Sequence, residues 1–228
     1  MIEGMIRSGI IPIDETLGGF RPHSTYLLTG GAGSGKTACA LRFADEGLRS
    51  GDRVAMLVHS PREELFAHAR RLGIGLTAAL RDEQLLLLRF RPDFARRLAR
   101  AASAEDALDD LRRQVIGHRA HRLVIDTFAP LLEDGSASPI PAASLAELLE
   151  LTRSTALLTY PADLANSYDR RLEPLVHAAT GVVRIVRDDH GNRRIEVVSL
   201  RGSSDHNLAP LDVDSAAVRQ LVEPLELR

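Results

Sequence analysis

One cysteine, no tryptophan, six phenylalanines and three tyrosines are spread over 228 residues. A lone cysteine, Cys39, cannot close an internal disulfide, so a packed core has to hold the fold, and such usage suits a reducing compartment. Neither sign of charge is in excess. The formal net charge is -2, which gives no general pull toward nucleic acid or an anionic membrane. No apolar run approaches the ~20 residues that a membrane-spanning helix needs, and the first residues lack the apolar stretch of a signal peptide. The expectation is a soluble, cytoplasmic protein with no membrane contact. Lysine is scarcer than any other charged residue: Lys36 stands alone, and every other long basic side chain is arginine. There is no Ser/His/Asp signature and no dinucleotide fingerprint. His118 and His121 share helical spacing, but no cysteine or carboxylate completes a metal set around them.

The single lysine falls inside the most informative stretch of the chain. Gly30-Gly31-Ala32-Gly33-Ser34-Gly35-Lys36-Thr37 matches the phosphate-binding pattern G-x-x-x-x-G-K-[ST] in full. An apolar run, Tyr26-Leu27-Leu28-Thr29, precedes it and reads as a buried strand. Ala38 to Ala44 follows and reads as a helix. That context is what the motif requires. Glycines let backbone N–H groups turn inward around a polyphosphate, and the helix N-terminus adds partial positive charge. Lys36 would reach the β- and γ-phosphates, and the Thr37 hydroxyl would sit on Mg²⁺, with Ala38 next in line. An ammonium is a compact point charge and a guanidinium a planar fork. The one place that uses lysine is the one place where arginine should fail.

Elsewhere strands and helices alternate. A helix is predicted from Thr37 to about Arg49, a strand over Arg53–His59, and a helix from Ser60 to Leu72 ended by Gly73. Ser60 as N-cap, Pro61 at the first helical position and Glu63 make a capping box. Gln84–Phe90 is a third strand. Helices are predicted over 92–102 and 103–117, the latter with one apolar face at Leu108, Leu111 and Val115. Arg122–Thr127 is an apolar strand ending in an acid, Asp126. The long polar loop after it suggests function or disorder. A helix over 142–153, a strand over 156–160, a second polar loop over 161–170 and a helix over 171–179 follow. Residues 182–187 and 193–200 form a hairpin around Asp189-His190-Gly191-Asn192. This order argues a mostly parallel sheet with an antiparallel addition at one edge. No internal repeat is visible, so 1–228 is expected to be one domain, with 1–20 a lead-in and 211–228 a tail.

Asp126 is the candidate second acid at the metal, because a strand-end carboxylate beside Thr37 can hold Mg²⁺ through water. Glu63 and Glu64, a turn into the following helix, could reach back to handle a water. Two arginine groups, Arg89 to Arg100 and Arg112 to Arg122, are interleaved with acids and read as solvated faces rather than a nucleic-acid surface.

The run from Ser8 through Thr37 resembles the opening of the KaiC and RadA branch of the RecA-like ATPases. Ser8-Gly9-Ile10, Asp14 and Leu17-Gly18-Gly19 fit its lead-in pattern, with Ile13 in place of leucine and Phe20 in place of a third glycine. Arg70-Arg71-Leu72-Gly73 and the run ending Ile125-Asp126-Thr127 are similar to later parts of that branch. The resemblance implies an α/β fold with a RecA-like P-loop NTPase core. It implies a mostly parallel central sheet flanked by helices, with a C-terminal antiparallel β-hairpin. It further implies ATP and Mg²⁺ as ligands, a homo-oligomeric ring or dimer, and a site at the subunit boundary.

Two departures follow from the same resemblance. The branch carries a glutamate or a pair at the end of its second strand to activate water. Counting back from Arg70-Arg71-Leu72-Gly73, those places are His59 and Ser60, so His59 joins Glu63 and Glu64 as a candidate. The branch also offers a Lys and an Arg to the neighbouring site. Here Arg201 fits the arginine and Ser199 replaces the lysine. The expectation is an ATP-binding assembly switch or scaffold with weak or no hydrolysis and a possible protein partner. The alternatives are an active ATPase at a subunit interface and a DNA-binding recombinase-like module. Loops 128–141 and 161–170, which would meet DNA, show no positive stacking platform.

Overall fold

The computed structural model describes residues 4–90, 104–129, 142–161, 173–187 and 192–201. The expected helix over 92–102, most of both polar loops, the hairpin turn and the tail lie outside the described residues. Seven strands form one sheet: β1 (Thr25–Gly30), β2 (Val54–Val58), β3 (Leu85–Arg89), β4 (Arg122–Asp126), β5 (Thr155–Tyr160), β6 (Gly181–Arg187) and β7 (Arg193–Leu200). Their order is β3-β2-β4-β5-β1-β6-β7. All neighbours are parallel except β6 and β7, which pair antiparallel. The central strands β2, β4 and β5 are buried along their whole length. A parallel sheet covered on both faces requires this, and it is why the strands read as unbroken apolar runs rather than alternations.

Helices cover both faces. On one lie α1 (Ile11–Leu17), α2 (Lys36–Arg49), α3 (Arg62–Arg71) and α4 (Leu76–Arg81). Ile13, Leu41, Phe43, Leu65 and Leu76 pack there against Met56, Val124 and Leu157. On the other lie α5 (Ala104–Gly117), α6 (Ala142–Thr152) and α7 (Glu173–Ala178). Leu108, Leu111, Val115, Leu145 and Leu149 pack there against Leu123, Ile125 and Leu158. The predicted apolar face of α5 is thus the face that is buried.

Three local features differ from the sequence reading. The lead-in contains a helix, α1, rather than only a turn. Asp14 holds it by accepting hydrogen bonds from the Ser8 N–H at 2.6 Å, the Ser8 hydroxyl at 2.7 Å and the Gly9 N–H at 3.0 Å. The chain then passes so close under itself at Gly19, φ 112°, that a Cβ would lie 2.1 Å from the Ile6 carbonyl oxygen. A short helix, α4, fills the stretch before β3. Finally α3 begins at Arg62 with Pro61 in the capping position, at ψ 146°, and no side chain caps it. The fixed φ of proline sets the extended residue before the helix, so Ser60 and Glu63 form no capping box.

At the end of the sheet opposite the phosphate loop, Arg122 is fully buried. It pairs with Asp52 at 2.7 Å, donates to the carbonyls of Arg7 and Phe43, and lies over the Phe43 ring. A buried guanidinium demands such complete engagement. Gly47 on α2 makes room for it: a Cβ there would come 2.5 Å from Arg122 Cδ. Helix propensity alone would favour Gly47→Ala by roughly 1 kcal/mol. Because Arg122 is held from several sides and cannot retreat, the substitution should instead destabilise by about 1–3 kcal/mol, read as a lower urea midpoint.

On β6 and β7, Arg184 and Arg194 both pair with Glu196. Burial alone would raise the Glu196 carboxyl, but the hydrogen bonds and charges of the two arginines outweigh it and hold it below the ordinary glutamate value. A depressed folded value contributes stability that is present at neutral pH and lost as pH falls through the folded pKa. The stability difference between the unaltered protein and Glu196→Gln should therefore shrink in urea titrations run progressively below about pH 4.3.

Candidate functional site

In a parallel sheet the carboxyl ends of the strands share one edge, and here β1, β2 and β4 deliver their last residues to it. β1 ends at Gly30, whose φ is 152°. A Cβ at Gly30 would lie 2.7 Å from both the Ile185 carbonyl oxygen and the Ser34 hydroxyl, so side chains are shut out where the loop leaves the sheet. Gly31, Ala32 and Gly33 are exposed, and Gly35, at φ 111°, leads directly into α2. Ser34 is buried beneath the loop and Ala38 is buried in the core below it. Lys36 arches back over the turn. Its ammonium donates to the carbonyls of Gly30 at 2.6 Å and Gly31 at 2.7 Å and to the Ser34 hydroxyl at 3.4 Å. Burial lowers the Lys36 ammonium below the ordinary lysine value, while the charge of Asp126 opposes that shift.

Asp126 closes β4 and is 8% exposed. One carboxylate oxygen accepts the Thr159 hydroxyl of β5 at 2.6 Å, which fixes the acid at the sheet edge. Its backbone carbonyl accepts the His59 N–H at 3.0 Å, so the chain leaving β2 runs beside it. His59 and Ser60 occupy that place, and the His59 side chain is exposed. Beyond it, Thr37, Ser60, Glu64, His68 and Arg71 line a cleft of about 620 Å³. The site therefore gathers the glycine loop, Lys36, Thr37, Asp126 and Glu64. Glu63 is exposed and does not line the cleft.

Arg201 is placed elsewhere. It follows β7, with its N–H bonded to the Thr180 carbonyl at the end of the sheet away from the loop. Arg193, at the start of β7, is the residue that sequence reasoning missed. It donates to the Gly33 carbonyl at 3.3 Å, and its Cδ and Nε lie 3.8 Å from where a Cβ on Gly35 would be. Its Nε is buried without a hydrogen-bond partner. Burial, with the charge of Arg187, lowers its guanidinium from the ordinary arginine value. The contact spans 160 positions of sequence, and only the antiparallel return of β7 creates it.

The donor set fits a magnesium nucleotide. A glycine turn stripped of side chains, one ammonium, an unpartnered guanidinium nitrogen beside the loop, and a hydroxyl and carboxylate on its metal side are all on one edge. Thr37 and Asp126 are the residues that would hold Mg²⁺, directly or through water. His118 and His121, by contrast, engage backbone groups: the His118 ring bonds to the Gln84 carbonyl, and His121 accepts the Arg53 N–H. Among the described residues no helix is long and apolar enough to cross a membrane.

Sheet order, glycine loop and strand-end acid together define a P-loop NTPase of the RecA-like class. A family model described as the KaiC ATPase matches residues 6–218, and the chain belongs to that family. The circadian clock oscillator protein KaiC of Rippkaea orientalis is 31% identical over 128 residues, which is 55% of this chain and 23% of that protein. KaiC 1 of a Synechocystis species is 30% identical over 128 residues, with the same shares of 55% and 23%. The chain thus matches less than a quarter of the length of these curated relatives. The crystal structure of a KaiC-like protein from Pyrococcus horikoshii superposes with a TM-score of 0.73 at 22% identity, covering 88% of this chain and 90% of that one. That similarity establishes the fold.

Lys36→Ala removes the one ammonium from the loop. Binding of a fluorescent ATP analogue should weaken roughly 10- to 100-fold, the range of a hydrogen bond to a charged group. Asp126→Asn should weaken the same binding with Mg²⁺ present and have little effect with the metal chelated.

Proposed function

We propose that this protein binds ATP with Mg²⁺ in the Gly30–Thr37 loop and uses it as a switch for assembly with copies of itself, in a ring or dimer, with weak or no hydrolysis. Residues 1–228 would act as one RecA-like unit in the cytoplasm, and the assembled form would be the one that a protein partner reads. The observation that carries this reading is the placement of β7. Arg193 at its start touches the chain's own phosphate loop. Arg201 lies just past its other end, and eight residues of strand span about 26 Å. At that separation Arg201 can serve a nucleotide only on another copy. A guanidinium reaching a neighbour's γ-phosphate makes the assembled state bind ATP more tightly than the separated one, and a ligand shifts an equilibrium only through such a difference.

Slow turnover follows from the residues beside Asp126. His59 and Ser60 supply no carboxylate there, and a neighbouring arginine without its companion lysine forgoes part of a contribution that reaches several powers of ten. Glu64 on the cleft favours a second reading, a working ATPase at the subunit interface.

Size-exclusion chromatography with light scattering checks the switch. ATP or a non-hydrolysable analogue should raise the mass to that of a defined multimer, and Arg201→Ala should lose the shift. A mass that is the same with and without nucleotide would exclude the switch, and rapid single-turnover phosphate release would replace it with the ATPase reading.

A further inference from the structure

Helix α3 forms one wall of the cleft beside the phosphate loop. Two of its side chains, Glu64 and His68, line that cleft together with Thr37 and Ser60. They are four residues apart, so they lie on one helical face, one turn above the other. Neither side chain hydrogen-bonds or ion-pairs with another described residue. Both face the space between α3 and the start of α2. The histidine is half-buried. Burial, and then the charge of Arg71, keep its ring below the ordinary histidine value, with Asp126 opposing. Near neutral pH the ring has a lone pair to offer.

We propose that Glu64 and His68 hold the attacking water from α3, the role that the end of β2 does not fill. This rests on the nucleotide-binding reading given above, whose weak hydrolysis these two side chains would carry out. A water has two O–H groups: one donates to the Glu64 carboxylate and the other to a ring nitrogen of His68. As the water oxygen bonds to the γ-phosphorus, the bond from that phosphorus to its bridging oxygen breaks. The electron pair leaves on ADP, and the water's proton passes to the His68 ring, which later releases it to solvent. The other candidates are less well placed. Glu63 does not line the cleft, and the exposed His59 does not line it either. Ser60 lines it but has no basic lone pair of comparable strength.

Binding, rather than turnover, separates this role from a mere nucleotide contact. The full chain, His68→Asn and Glu64→Gln would each be titrated calorimetrically with Mg·ATPγS, and with Mg·ADP plus aluminium fluoride, which imitates the phosphoryl group in flight. A residue that acts on the water is needed only in the second complex. The aluminium fluoride complex should weaken by about 100-fold in His68→Asn, at the lower end of general-base effects, and by roughly 10-fold in Glu64→Gln, while ATPγS affinity stays within about threefold in both. Equal weakening of both complexes would overturn the proposal and mark the side chains as ground-state nucleotide contacts. Unchanged affinity for both complexes would also overturn it. Glu64 is exposed on α3, so Glu64→Gln decides the matter should His68→Asn fail to fold. Failure of the unaltered protein to bind ATPγS would overturn the nucleotide reading itself, a result distinct from either of the others.

Discussion

Everything at the site depends on one backbone constraint. A buried strand must become a buried helix within five residues while turning its amides outward. Side chains cannot be accommodated at the start of that turn, because the Ile185 carbonyl and the Ser34 hydroxyl already stand where a Cβ on Gly30 would go. Strand β1 is fixed on both sides by parallel neighbours, β5 and β6, and α2 is packed along its length against the sheet. The loop is therefore suspended between two rigid supports. The parallel register then brings Asp126 and the His59–Ser60 segment to the same edge with no special device. Cys39, one turn into α2, is pushed up to about 12 by burial and is an inert packing residue rather than a nucleophile.

The charged groups of the edge are divided about the glycine loop. Lys36, Arg193 and the opening of α2 supply positive potential on one side of the loop, and Asp126 supplies the one firmly anchored acid on the other. Beside that acid stands His59, whose backbone N–H is bonded to the Asp126 carbonyl and whose side chain is exposed. The glycine loop, Lys36 and Asp126 are held by the sheet and α2, whereas Glu64 and His68 belong to a side helix, α3.

Much of this was legible in the sequence because parallel strands advertise themselves. Tyr26–Thr29, Val54–Val58 and Leu123–Ile125 are apolar without interruption, and the glycine pattern between the first of them and α2 has few other uses. Element boundaries along the sheet fall within a residue or two of the reading. What was illegible depended on distant partners. Helix α1 begins Ile-Pro-Ile and has poor intrinsic propensity; the Asp14 carboxylate, closing on Ser8 and Gly9, makes it a helix. The capping box at Ser60 was locally sound but lost to Pro61, which already fixes the turn. Arg193 looked like one arginine among many, since nothing in Asn192-Arg193-Arg194 announces that the strand carrying it starts beside a loop 160 positions away.

Strand β7 has a mechanical consequence. It pairs antiparallel with β6 from Arg193 to Leu200, with one shift of register between Val182 and Val183. Its near end rests on the glycine loop through Arg193, and its far end carries Arg201. A shift of Arg193 would therefore act on the same strand that leads to Arg201. The edge strand thus ties the glycine loop to the opposite end of the sheet, two places that no local stretch of sequence connects.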